Sequence, residues 1–372
     1  MDPHDQFCHT PDCSDRGQSG LGNIGIHSRK EQRYCCSTCG RTFAATTGTP
    51  FYRLRTATDV GTVVLTLLCH GCPLQAIVAA FGFDERTVAQ WQARAGEHCQ
   101  EVPRHLVEQG QVELGQVQAD ELWVKLVGKR LWMAMALAVP SRLWLGGVIS
   151  PRRDRALSTE LVQKVRACGG NLAILVCVDG LASYVTAFLR VFRHKVATGR
   201  RGRPRLVMEP GLLIGQVIKH YARRCVVKVV HRVVRGTATA IAKVLRATGG
   251  TVINTAYIER LNATFRSALA PLARRGRAIA HTEAVLTAGM YHLVGCAYNF
   301  CWYHDSLRLA APQSTPRKWQ ERTPAMAAGL TNHRWTLHEL LLLKVPLPPW
   351  VAPKRQGRPP KLKLQPTMAM AA

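Results

Sequence analysis

The sequence predicts a multidomain α+β protein, and three observations predict it. Five cysteines crowd the first forty residues, as a small metal-dependent unit requires. Three apolar periodic segments then follow between Thr58 and Cys99, with helical spacing. After residue 112 the pattern changes to alternating and continuous apolar runs separated by helical ones, which is a mixed sheet with helices against it. The chain of 372 residues is long enough for two or three domains, and 47% hydrophobic content can fill their cores.

Charge narrows the class of partner. Fifty Lys and Arg stand against 23 Asp and Glu, a net charge of +27. The excess recurs from Arg29 to Lys363 rather than in one tail. Such a surface suits a polyanion, most simply nucleic acid. No apolar run reaches the length that spans a bilayer, and MDPHDQFCHT has no apolar signal core. The expected setting is the cytoplasm, in association with the nucleoid. In a reducing compartment thirteen cysteines are not a disulfide framework.

Residues 1–55 read as a zinc ribbon. FCHTPDC supplies Cys8 and Cys13, and RYCCSTCGRTF supplies Cys36 and Cys39. Two such pairs give the four thiolates of a closed structural Zn²⁺ site, and a segment with so little core needs the ion to fold. Cys35 and His9 are rival ligands. Residues 56–105 hold the three helical segments. Gly82 separates the second and third, Pro73 suits the start of the second, and Asp84 can cap the third. The spacing is similar to a helix-turn-helix, with Thr87, Gln90 and Arg94 facing outward as candidate DNA contacts. A plain helical bundle has the same periodicity.

Residues 112–310 carry three acidic residues in distinctive settings. Asp120 lies in QVQADELWVKL, an alternating strand. KRLWMAMALAVPSRLWLGGVIS supplies two more strands broken at Pro140–Ser141. The helix LSTELVQKVRAC follows, then the strand LAILVCVDG ending at Asp179, then the helix SYVTAFLRVF. This order is that of a ribonuclease H-like core. Asp179 is the only acidic residue between Glu160 and Glu209, and Glu259 the only one between Glu209 and Glu283. Each has an ordinary alternative: Asp179 as a turn residue, Glu259 as a surface partner of Arg260 or Arg266, and Asp120 replaced by its neighbour Glu121.

Asp120, Asp179 and Glu259, in that order, resemble the DDE triad of bacterial insertion-sequence transposases that carry an N-terminal zinc ribbon and helix-turn-helix. GRTFAATTGTPFYRLR, DELW, YIERLNATFR, YNFCWYHDSL and RTPAMAAGLTNHRWTLHELL resemble one group of these enzymes, over roughly Phe7 to Leu343. Arg266, seven residues after Glu259, matches the basic residue that they place two helical turns on. The resemblance implies a DNA transposase that binds element ends, cleaves strands and joins 3′ ends to target DNA as a homodimer or higher oligomer on DNA. It implies three carboxylates holding two Mg²⁺ or Mn²⁺ ions. The chemistry fits the residue types, because hard cations take oxygen ligands and can activate the nucleophile and hold the leaving oxygen. The alternatives are a non-catalytic DNA-binding regulator and a metal-dependent nuclease of the same fold.

The sequence departs from that pattern at residues 193–236, which read as an inserted basic segment. Within it RRGRPR places Arg201 and Arg203 where a minor-groove hook has its arginines. Arg260 and Arg266 beside Glu259 are candidate phosphate contacts. Residues 311–372 read as a C-terminal extension with a basic, solvated tail.

Overall fold

The computed structural model describes residues 2–197, 199, 202–223, 225–272, 282–311 and 316–351. Arg201 and the tail beyond residue 351 lie outside them. The chain divides into two compact units, residues 1–45 with 346–372, and residues 46–345. The first unit stops short of the boundary expected at residue 55 because Phe51 is buried in the core of the larger unit. Among the described residues no helix is long and apolar enough to cross a membrane.

The first unit is built on a three-stranded antiparallel sheet of β1 (Ile24–Ser28), β2 (Arg33–Cys36) and β3 (Thr42–Ala44). Its core is small: Cys8, Cys13, Ile24, Tyr34, Cys36 and Phe43. So few apolar side chains cannot offset the ordering entropy of the segment, which is the usual circumstance of a metal-dependent fold.

The larger unit begins with α1 (Thr58–Cys69), α2 (Leu74–Phe81) and α3 (Glu85–Leu106). Gly82 ends α2 in the left-handed conformation at φ 69°, and Asp84 caps α3 by accepting from the Arg86 N–H at 2.9 Å. Pro73 stands at the N-cap of α2, one position before the expected one. The third helix runs on through Pro103, past the segment read from the sequence. Val64, Leu68, Ile77, Trp91, Ala95 and Cys99 join the same hydrophobic core as the sheet that follows, so these helices are not an isolated bundle.

That sheet has six strands in the order β11-β10-β7-β4-β5-β6. β4 (Gln116–Leu126), β5 (Lys129–Ala138) and β6 (Leu143–Ser150) form an antiparallel meander turning at Pro140–Ser141. β7 (Leu175–Asp179) runs parallel to β4 on one side and to β10 (Leu213–Ala222) on the other. β10 returns as β11 (Cys225–Arg235). The connections are α4 (Arg155–Cys168), α5 (Ala182–Val191) and a small hairpin of β8 (Arg193–Val196) and β9 (Arg205–Met208). The segment 193–236 is therefore not wholly an insertion. Its apolar stretch from Leu213 to Val217 pairs with β7 as an integral strand, and β11 extends the same sheet beyond it.

After the sheet come α6 (Ala238–Ala247), α7 (Ala256–Ala268), α8 (Glu283–Gly289) and a wide π-helical segment, Met290–Cys301. That segment lies hard against β6: a Cβ at Gly295 would stand 2.0 Å from the Trp144 indole, so only glycine fits. The chain closes with β12 (Leu309–Ala310), β13 (Trp319–Gln320), α9 (Pro324–Ala327) and α10 (Leu337–Leu342), the last held by a capping box of Thr336 and Glu339. The larger unit is thus a mixed α+β structure around one mixed sheet.

Candidate active site and metal centre

Strand register brings the first two carboxylates together. Ala119 of β4 pairs with Val178 of β7, so the next residue on each parallel strand is Asp120 and Asp179. Glu121 completes a group of three whose carboxylate oxygens all lie within 4.8 Å of one another. The Glu121 side chain is only 2% exposed, with the buried Tyr184 hydroxyl beside it. Arg153, just before α4, pairs with Glu121 and reaches Asp179 at 3.7 Å.

Three carboxylates in so small a volume repel one another. Burial, then Glu121, Asp179 and Glu259, push Asp120 up to about 7. Burial and Asp179 raise Glu121 against the pull of Arg153. An oxygen-only donor set and a concentration of negative charge fit a hard divalent cation; Asp120, Glu121 and Asp179 can hold one.

Glu259 arrives from the other side of the same cleft, in the first turn of α7. A buried glutamine holds that turn in place. Gln118, two residues before Asp120 on β4, accepts at Oε1 from the Tyr257 and Ile258 N–H groups, both at 3.0 Å, and donates to the Asn254 carbonyl at 2.8 Å. It supplies the cap that Thr255 does not, since the Thr255 hydroxyl donates instead to Glu259 at 2.9 Å. Farther along α7, Asn262 donates to Asp120 at 2.8 Å, tying the helix to the carboxylate group directly.

Glu259 itself stands outside the close group of three. Lys219 of β10 donates to it at 2.7 Å. Burial raises its carboxyl, but the hydrogen bonds from Lys219 and Thr255 outweigh this and hold it below its ordinary value. Asp120, Asp179 and Glu259 nevertheless line one cavity of about 460 Å³, with Arg153, Lys219 and Tyr221 among the walls.

A second candidate metal centre is in the first unit. The sulfurs of Cys8, Cys13, Cys36 and Cys39 all lie within 4.8 Å of one another. Cys8 to Cys39 is 3.6 Å and Cys13 to Cys36 is 3.9 Å. A tetrahedral Zn²⁺ with bonds of ~2.3 Å has sulfur–sulfur edges of ~3.8 Å. These four can hold it. The rivals drop away: Cys35 turns to the Cys36 and Gly40 carbonyls, and His9 packs between Phe7 and Phe43. Burial pushes Cys13 up to about 12, whereas hydrogen bonds, led by the Arg41 N–H, overcome burial and bring Cys39 down to about 7.

The other sequence candidates are dispersed. Gln90 is exposed on α3 and Thr87 is half-buried there. Arg94 turns inward: its guanidinium donates to the Tyr52 carbonyl and ties α3 to the loop before α1. Arg203 is exposed between β8 and β9, Arg260 is exposed on α7, and Arg266 lies in the last turn of α7. Gln118, Asn262, Lys219 and Arg153 were not singled out from the sequence. No protein-family model matches the chain, and no curated protein matches it.

Proposed function

We propose that the chain is a DNA transposase of the DDE type, cutting DNA at the ends of a mobile element and joining the resulting 3′ ends to a target. One observation carries the reading: parallel register sets Asp120 beside Asp179, while Gln118 on the same strand holds the helix that presents Glu259 to the same cleft. The strand order, with β5 antiparallel between β4 and β6 and with β7 and β10 parallel to β4, supports a ribonuclease H-like core. The charge of +27 supports a polyanionic substrate.

In this reading Asp120, Glu121 and Asp179 hold divalent cations, Mg²⁺ or Mn²⁺, and Glu259 joins them from α7. When bound, the ions would make water or a 3′ hydroxyl more nucleophilic and neutralise the leaving oxygen. The chain's own part is to orient and to neutralise. Lys219 and Arg153 place positive charge at the rim of the cleft, where phosphate oxygens approach. Arg260 extends that charge along α7. Asn262 fixes the rotamer of Asp120. The four-cysteine centre holds a structural Zn²⁺, and Gln90 with Thr87 presents the helix-turn-helix face to DNA.

Joining separates a transposase from a nuclease or a regulator. Duplex DNA from the edges of the gene, supplied with one end already cut to a free 3′ hydroxyl, is incubated with a supercoiled plasmid and Mn²⁺. The reading expects covalent joining by the parent and none by Asp179→Asn. Cutting without joining would indicate a nuclease, and binding alone a regulator.

A further inference from the structure

A second cavity of about 510 Å³ lies at the far end of the larger unit's chain, lined by Tyr303, His304, Arg308, Arg317, Lys318 and Trp319, with Asp305 and Glu321 also on its wall. It falls within the roughly 300–1,000 Å³ typical of ligand clefts. Nothing in the carboxylate chemistry uses it.

Its aromatic residues are unusual for being left at the surface. Trp319 is 39% exposed and Tyr303 43% exposed. Each carries an arginine on its face. The Arg308 guanidinium sits 4.5 Å from the Trp319 ring centre, and Arg334 sits 4.7 Å from that of Tyr303. The Lys318 ammonium is 5.6 Å from the same indole. The cavity therefore combines two arginine–aromatic stacks with further cations. An indole or a guanidinium plane accepts the flat face of a nucleobase, and the neighbouring charges accept its phosphates.

Burial, and next the charges of Arg142 and Arg260, hold the His304 imidazole on the cavity wall below its ordinary value. The fixed cations of the cleft are therefore its arginines and Lys318.

We propose that the cleft between Tyr303 and Trp319 is a subsite for single-stranded DNA, in which an unpaired base stacks on the arginine–aromatic faces. It deepens the transposase reading and rests on it: it assigns unpaired DNA handled by the enzyme a place to stack. A duplex keeps its base faces covered and gains only the phosphate contacts, so the subsite favours unpaired over paired DNA. The two carboxylates on the wall disfavour a purely electrostatic phosphate site and leave stacking as the distinguishing interaction.

The test uses the full chain, without divalent metal, and fluorescence anisotropy with three probes: a short oligo(dT), an abasic strand of equal length and a blunt duplex. Trp319→Ala should weaken oligo(dT) binding roughly five- to hundred-fold, the range for one stacked base, and change abasic and duplex binding by less than about twofold. Trp319→Phe should restore most of the loss. Tyr303→Ala should repeat the pattern from the other wall. The inference is overturned if oligo(dT) binding by both Ala variants stays within about twofold of the parent, if the abasic strand loses as much as oligo(dT), or if Phe fails to rescue. Metal-dependent joining by the same preparations reports on the transposase reading separately. A protein that joins DNA but has no base-dependent preference loses only the subsite; one that stacks bases but never joins loses only the transposase.

Discussion

Replacing Asp120 by asparagine should stabilise the metal-free chain at alkaline pH. Asp120 is buried beside Glu121 and Asp179, and its folded-state value is raised from 3.8 to about 7. The sign follows from linkage. A carboxyl whose folded value exceeds its unfolded value favours folding while protonated, and that contribution is lost as pH rises from about 4 through about 7. Above pH 7 the folded protein carries the cost of a charged Asp120 among like charges. A shift of about three units corresponds to a ceiling of ~4 kcal/mol. The neighbouring Glu121 carboxyl is itself raised and relaxes when Asp120 is neutral, so a gain on the order of 2 kcal/mol is expected. Asparagine keeps the size and loses the charge, and the Asn262 Oδ1, buried without a partner, can accept from the new amide once the Asn262 side chain turns. The assay is thermal unfolding in EDTA at pH 5 and pH 8. The variant should melt several degrees higher at pH 8, and its advantage at pH 5, between the two values, should be less than half as large. A variant less stable than the parent at pH 8, or a difference independent of pH, would refute the electrostatic reasoning.

Gln118→Ala removes the acceptor from two α7 N–H groups and the donor to Asn254; it should cost ~2–4 kcal/mol in urea unfolding, and a loss below about 1 kcal/mol would mean that water replaces the glutamine. Cys36→Ser or Cys39→Ser should release one zinc per chain and melt the first unit while the transition of the larger unit stays in place; stoichiometric zinc in both variants, measured by atomic emission, would remove the four-thiolate centre.

The sequence made some of this plain and hid the rest for physical reasons. Asp179 was legible because it is the one acidic residue in a long basic and apolar stretch, Asp120 because it lies in an alternating strand, and the four cysteines because they fall in two closely spaced pairs. Cys35 and His9 could be set aside only from their packing. β10 was hidden because its apolar half is short and lies between basic hairpins, so its surroundings read as an insertion. Gln116 and Gln118 alternate with apolar residues and so read as a solvent face; both are buried, because helices cover that side of β4 and use their amides. Helical periodicity put Arg94 outward, but its long side chain reaches the Tyr52 carbonyl, which no wheel of one helix can foresee. Glu121 was noticed only as a neighbour of Asp120; that both carboxylates reach Asp179 is a property of the folded sheet.

The central claim is that Glu259 serves a metal-dependent reaction on DNA rather than a surface ion pair with Lys219. Glu259→Gln tests it most directly, since it keeps size and hydrogen bonding while removing the charge. Cleavage and joining of element-end DNA are measured with Mg²⁺ beside DNA binding across a salt series, for this variant and for Arg266→Ala. The account predicts that Glu259→Gln abolishes both reactions and leaves binding unchanged or slightly tighter, because one charge that repels phosphate is gone. Arg266→Ala should weaken binding and lower the salt dependence by about one counterion. Near-normal cleavage by Glu259→Gln would contradict the account and reduce Glu259 to the partner of Lys219.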